Sequence, residues 1–149
     1  FVSEIDAQGY QGIGHDTTLA AHVFMGTKNS QRVSEAYVLG GLNAVRGVPD
    51  GFLIGNRAMF ANLEGRMRVA HFQYALVQAL AFTDAGQSRF LDDTRQAQSV
   101  GLGVRVDIPQ VYRVVIRADV AYVLQTKQVG VALGFNQFFQ PHSPLRDKN

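Results

Sequence analysis

Residues 98–108, QSVGLGVRVDI, decide how the chain reads. Val100, Leu102, Val104, Val106 and Ile108 recur at every second position. Ser99, Gly101, Gly103, Arg105 and Asp107 fill the places between. A helix would need its apolar residues at spacings of three and four. A sustained period of two is a strand with one apolar and one polar face.

The same period extends outward in both directions. Upstream, Ala58 to Ala70 sets Met59, Ala61, Leu63, Met67 and Val69, with Gly65, against Phe60, Asn62, Glu64, Arg66 and Arg68. Phe72 to Gly86 reads as a longer, more apolar strand, and Gln87 to Gln96 as a polar turn or loop. Downstream, after a short turn at Pro109-Gln110, Tyr112 to Gln125 sets Val114, Ile116, Ala118, Val120, Tyr122 and Leu124 against Arg113, Arg117 and Asp119. Gln128 to Phe139 is the last strand, with Val129, Val131, Leu133, Phe135 and Phe139 on one face. Residues 140–149 form a polar tail with two prolines. At the other end, Phe1 to Ile13 alternates weakly and Gly12 to Asp16 is a turn. Thr17 to Thr27 carries Leu19, Ala21, Val23 and Met25 on one face.

Composition agrees with β structure and excludes several classes. The 149 residues suit one domain, with 15 Gly, 4 Pro and no Trp. Fourteen Lys and Arg against 12 Asp and Glu leave a net charge of only +2, too weak and scattered for nucleic acid. The absence of Cys removes disulfides and thiolate metal sites. No apolar run approaches the ~18–20 residues of a transmembrane helix. There is no initiator Met and no signal-peptide pattern. With strand-like sequence already at Phe1, the chain reads as a processed piece or the C-terminal part of something longer. His15, His22, His71 and His142 show no ligand spacing. The G-x-x-G-x-G of Gly9 to Gly14 lacks the Lys-Ser/Thr of a phosphate loop. No metal or other cofactor and no enzymatic constellation is expected.

The reading yields seven strands, mostly of about 11–15 residues, against ~5–6 for soluble proteins. A tilted membrane strand needs ~9–11 residues in the hydrocarbon. Long strands, a tight turn and one uniformly apolar face point to a transmembrane β-barrel. Both charge signs on the other face suit a hydrated, ion-paired lumen. Single-chain bacterial barrels have even strand numbers, so seven is an incomplete ring. Upstream strands, an eighth strand hidden within 30–42, or another chain would complete it; missing upstream strands are favoured.

Between the second strand and Ala58 lies Val33 to Arg57, a loop containing Gly40 to Gly55, GGLNAVRGVPDGFLIG. Loops this long within a compact domain are functional or disordered. Val38, Leu39, Val45, Phe52, Leu53 and Ile54 argue against disorder, so the loop is expected to fold back on the sheet.

An ordered set of motifs resembles the C-terminal barrel of BamA/TamA-type proteins of the bacterial surface antigen superfamily. Val45-Arg46-Gly47 is similar to the family's [VI]-R-G-[FY] loop, although Val48 stands where the family has an aromatic. Asn62 to Arg66 resembles N-x-E-x-R, and Phe82 to Gly86 resembles F-x-D-x-G. Gly101 to Arg105 resembles G-x-G-x-R, and Arg117 to Tyr122 resembles R-x-D-x-A-Y. Gln128, Gly130, Leu133 and Phe135 have the spacing of an outer-membrane assembly signal, although residues continue beyond Phe139.

The resemblance implies an all-β chain: the C-terminal strands of a larger antiparallel transmembrane barrel of about sixteen strands. It would occupy 1–139, including a lumen loop at 30–57, with the tail at 140–149. It implies that Arg46 pairs with Asp84 near Glu64, with Phe82 and Gly86 alongside. Arg66, Arg105, Arg117 and Asp119 would form lumen ion pairs. The implied function is outer-membrane protein assembly, membrane insertion or polypeptide transport, in the bacterial outer membrane and without covalent chemistry. Implied partners are membrane lipids, unfolded outer-membrane or secreted polypeptides, and periplasmic or lipoprotein partners. Two alternatives stand beside it. One is a barrel anchor or exporter for a fused upstream enzyme such as a patatin-like lipase; the other is a soluble β-sandwich binding module.

Overall fold

The computed structural model describes residues 1–29, 32–108 and 114–137. It is all-β, with two short 3₁₀ turns at Val33–Glu35 and Gly41–Asn43. The strands are β1 (Val2–Ile13), β2 (Thr17–Lys28), β3 (Tyr37–Leu39), β4 (Leu53–Gly55), β5 (Arg57–His71), β6 (Leu76–Phe90), β7 (Asp93–Ile108), β8 (Val114–Val123) and β9 (Gln128–Gln137). Seven of them form one sheet in the order β1-β2-β5-β6-β7-β8-β9, and every neighbouring pair is antiparallel. The central strands reach 15 or 16 residues, about three times an ordinary soluble strand. The sheet is open among the described residues, with β1 and β9 at its edges. No helix of the described residues is long and apolar enough to cross a membrane, which says nothing about crossing by strands.

Register explains how scattered motifs meet. On the polar face, Glu64 lies opposite Phe82, Phe82 opposite Gly101, Gly101 opposite Ala121 and Ala121 opposite Gly130. In the next row, Asn62 faces Asp84 and Asp84 faces Ser99. On the opposite face, Ala21, Leu63, Thr83, Val100, Tyr122 and Val129 form a continuous row across six strands.

Burial is inverted relative to a water-soluble sheet. Asp84 and Asp119 are each 1% exposed on the polar face, whereas Leu102 is 68% and Leu133 71% exposed on the apolar one. Water disfavours such a broad apolar surface, and hydrocarbon accommodates it. The polar face is covered by the chain between β2 and β5, which folds back across it.

Two expectations are corrected. The turn read at Gln87 to Gln96 is much shorter than expected: β6 runs to Phe90, Leu91 and Asp92 make a two-residue turn, and β7 begins at Asp93. Both faces are polar near this hairpin, so no period shows in the sequence. Leu91 adopts φ +53° where Gly or Asn would normally signal the turn. Nor does 30–42 hide an eighth strand of the main sheet. Its only described strand, β3, spans three residues and pairs with β4 in a separate two-stranded sheet. Smaller shifts follow the same logic. The stretch 72–75 is a turn before β6, and a register break between Arg68 and Ala70 ends the strict alternation of β5. The Pro109-Gln110 turn, Tyr112 and Arg113, Phe139 and the tail at 140–149 lie outside the described residues.

Candidate functional site

The loop between β2 and β5 is built as a small structure of its own. β3 and β4 pair through Tyr37–Gly55, Val38–Ile54 and Leu39–Leu53. Above that hairpin, the Gly41 N–H donates to the Val48 carbonyl at 3.0 Å and closes the tip. Val45, Val48 and Leu53 are buried with Ala97 and Val123 of the sheet, and Leu39 and Phe52 pack against them. Val48 therefore anchors the tip without an aromatic ring. At the tip, Gly47 has φ +88°, a conformation that suits glycine. A Cβ there would also meet the Ala121 Cβ at 2.8 Å.

Those anchors deliver Arg46 to the polar face, where its side chain is 2% exposed. Its Nε–H donates to Asp84 Oδ2 and its Nη2–H to Asp84 Oδ1, both at 2.7 Å. This is a bidentate fork, a geometry that a lysine ammonium does not reproduce. The Arg46 backbone N–H adds a third bond to Asp84 Oδ2 at 3.1 Å. Nη1–H donates to Glu64 Oε2 at 2.7 Å, and Nη1 lies 3.5 Å from Asp119 Oδ2. The guanidinium plane stacks on Phe82, 3.4 Å from the ring centroid. Asn62 ties both sides together, donating to the Ala44 carbonyl at 2.6 Å and to Asp84 Oδ1 at 2.8 Å.

The surrounding charges form a network. Glu64 accepts from Arg66 Nε at 2.6 Å and from Arg105 Nη2 at 2.8 Å, so three arginines share one carboxylate. Arg117 Nη2 donates to Asp119 Oδ2 at 3.1 Å and to the Leu42 carbonyl of the loop at 3.4 Å. Arg46, Arg66, Arg105 and Arg117 thus meet Glu64, Asp84 and Asp119. Buried ions in such a set are tolerable only while each keeps its partners.

The remaining residues singled out from sequence divide between the two faces. A Cβ at Gly86 would meet Val45 Cγ2 at 2.6 Å and Leu53 Cδ1 at 2.9 Å, so its bare backbone receives the loop. Gln128 and Gly130 share the polar face, and a Cβ at Gly130 would lie 2.6 Å from the Gly47 backbone. Leu133 and Phe135 point to the apolar face, away from the arginine cluster.

Sequence reading missed a second tether. Tyr37 of β3 donates its hydroxyl to Glu4 of β1 at 2.8 Å, and Lys28 sits 4.2 Å from the centre of its ring. Burial, and then Glu4 through its hydrogen bond and its charge, push the phenol pKa up to about 12. An aromatic residue beside Val38 and Leu39 in the loop was the available signal; its partner lies 33 positions away. Asn62 was visible within its motif, but its bridging role depends on the β5–β6 register. Among the described residues, no group of His, Asp or Glu side chains could hold a metal ion.

A long-stranded antiparallel sheet with one apolar face and an arginine-clamped loop on its polar face defines an all-β class of protein. The Omp85 superfamily domain matches residues 1–139, and the chain belongs to that family. Its members are outer-membrane proteins of bacteria or organelles, in a family that inserts or translocates polypeptides. Neither the curated proteins nor the solved structures give a match to this chain.

Proposed function

We propose that this chain supplies the C-terminal strands of a closed barrel in the bacterial outer membrane. The barrel assembles or translocates other polypeptides, with the Val45-Arg46-Gly47 tip docked on its lumen wall. The observation that carries this reading is the Arg46 clamp. A loop of nearly thirty residues is held by ion pairs and packing on a face whose reverse side is apolar and exposed.

Physical argument favours closure. An open edge in lipid leaves N–H and C=O groups unpaired at several kcal/mol each, so β1 and β9 require partners. The loop tip touches β8 and β9 as well as β6, which places it near the β9 edge. A β9 edge that opens transiently can pair with an incoming strand by β-augmentation. Such a cycle needs no covalent step, and the polypeptide substrate is selected by strand pairing and an apolar face. The exposed apolar face argues against a soluble sandwich.

Two measurements test the reading. In liposomes carrying the full-length protein, a urea-unfolded barrel substrate is expected to fold faster than in empty liposomes, as read from heat-modifiable gel mobility. Arg46→Ala should lose most of that acceleration. Equal rates with and without the protein would overturn the assembly role. Single cysteines at Leu102, Val104, Ile116 and Leu133 in the full-length membrane protein should resist water-soluble maleimide; rapid labelling at all four would remove the barrel.

A further inference from the structure

The apolar face changes character at the end of the sheet from which the long loop emerges. Along one cross-strand row, Ser3 faces Thr27, Thr27 faces Arg57, Arg57 faces Arg89 and Arg89 faces Thr94. Alternation puts this row on the same face as the apolar belt. Two arginines therefore stand directly opposite each other, with Cβ atoms about 4.5–5.5 Å apart, an arrangement in which like charges repel. Both side chains are exposed. Arg89 donates Nε–H to the Leu91 carbonyl at 3.1 Å, and among the described residues neither guanidinium is paired with a carboxylate.

Beside the pair lies a cleft of about 530 Å³. Its walls include Ile5, Met25 and Met59 from the apolar belt, with Gln87, Arg57 and Arg89 at its polar side. An apolar wall that ends at two unneutralised guanidiniums matches a molecule with a hydrocarbon part and an anionic head. Guanidinium forks suit phosphate oxygens, which would also relieve the repulsion between the two cations.

We propose that Arg57 and Arg89 bind the phosphate headgroup of a membrane lipid, whose acyl chains lie along Ile5, Met25 and Met59. The inference rests on the membrane reading given above. It assigns a function to a cation pair that the Arg46 clamp does not use, on the other face of the sheet.

The test is native mass spectrometry of the full-length protein in detergent, with dioctanoyl phosphatidic acid as the probe and phosphate-free dioctanoylglycerol as the control. Phosphatidic acid should be retained selectively, and R57Q/R89Q should weaken retention by about tenfold or more. Both positions are exposed, and heat-modifiable mobility checks that the variant is folded. The charge-preserving R57K/R89K should lose less than R57Q/R89Q, because an ammonium keeps the charge but not the fork. Equal retention of the two lipids, undiminished binding by R57Q/R89Q, or a loss in R57K/R89K as large as in R57Q/R89Q would overturn the proposal. Displacement of the lipid by equimolar inorganic phosphate would make this a site for free anions and also overturn it. Detergent phase separation keeps the two readings distinguishable. A protein that partitions into the detergent phase without phosphate selectivity refutes the lipid site alone, whereas one that stays in the aqueous phase refutes both.

Discussion

Replacing Arg46 by Ala is expected to release residues 40–55 from the sheet. Asp84 would lose its only guanidinium partner among the described residues, retaining the Asn62 amide. Glu64 would keep Arg66 and Arg105, and Phe82 would lose the plane stacked on its ring. Breaking a buried pair by removing one partner costs roughly 3–5 kcal/mol, because the other charge is stranded. Amide exchange of the loop in the full-length protein should then quicken by roughly two to four orders of magnitude. Exchange in the β5–β6 ladder should change far less.

Asp84→Ala should be milder than Arg46→Ala, since the guanidinium would still reach Glu64 and Asp119. Arg46→Lys should recover little, because a compact ammonium replaces neither the fork nor the stack. In the double variant, effects of groups in direct contact should fall short of additivity by about 1–3 kcal/mol. Strict additivity would sink the pairing as the source of docking.

The second large effect is expected at Gly130. A Cβ there would lie 2.6 Å from both the Cα and the carbonyl oxygen of Gly47, so backbone meets backbone and no side chain can swing away. Gly130→Val must therefore displace either the loop tip or β9. The tip is held by the Arg46 fork, whereas β9, among the described residues, pairs only with β8 and would stand at the seam of the closed barrel. β9 should yield first. Overpacking costs typically ~1–3 kcal/mol, and the expected signature is faster amide exchange along Gln128–Gln137 with the Arg46 contacts retained. Gly65→Val is the control: a Cβ there meets nothing within 4 Å, and valine suits a strand. If both valine variants behave alike, the contact between tip and edge strand has no energetic weight.

These two sites differ in how much of them can be read from residues alone. Arg46 announces itself through Val45-Arg46-Gly47 and the acidic motifs that follow, because a short motif keeps its chemistry wherever it lies. Gly130 is legible as part of an assembly-signal spacing, but its closeness to Gly47 is not. The two are joined only when β9 pairs with β8 in one register and the loop crosses the polar face. The Tyr37–Glu4 tether and the Asn62 bridge are hidden for the same reason. The ends of β6 and β7 were read too short because Gln87 to Gln96 is polar on both faces, and a turn without Gly or Asn leaves no local mark.

The sequence by itself determined the β class, the number of long strands and, wherever apolar and polar residues alternate, the face each side chain takes, because a period of two is a local property of a strand. It also supplied the ordered motifs by which the family is recognised. Tertiary structure alone decided which residues stand opposite one another, since a one-residue slip in register would turn every side chain to the other face. It placed three arginines on Glu64, set the Phe82 ring beneath Arg46, and brought Arg57 and Arg89 side by side. Each of these depends on contacts between distant segments, which no local pattern encodes.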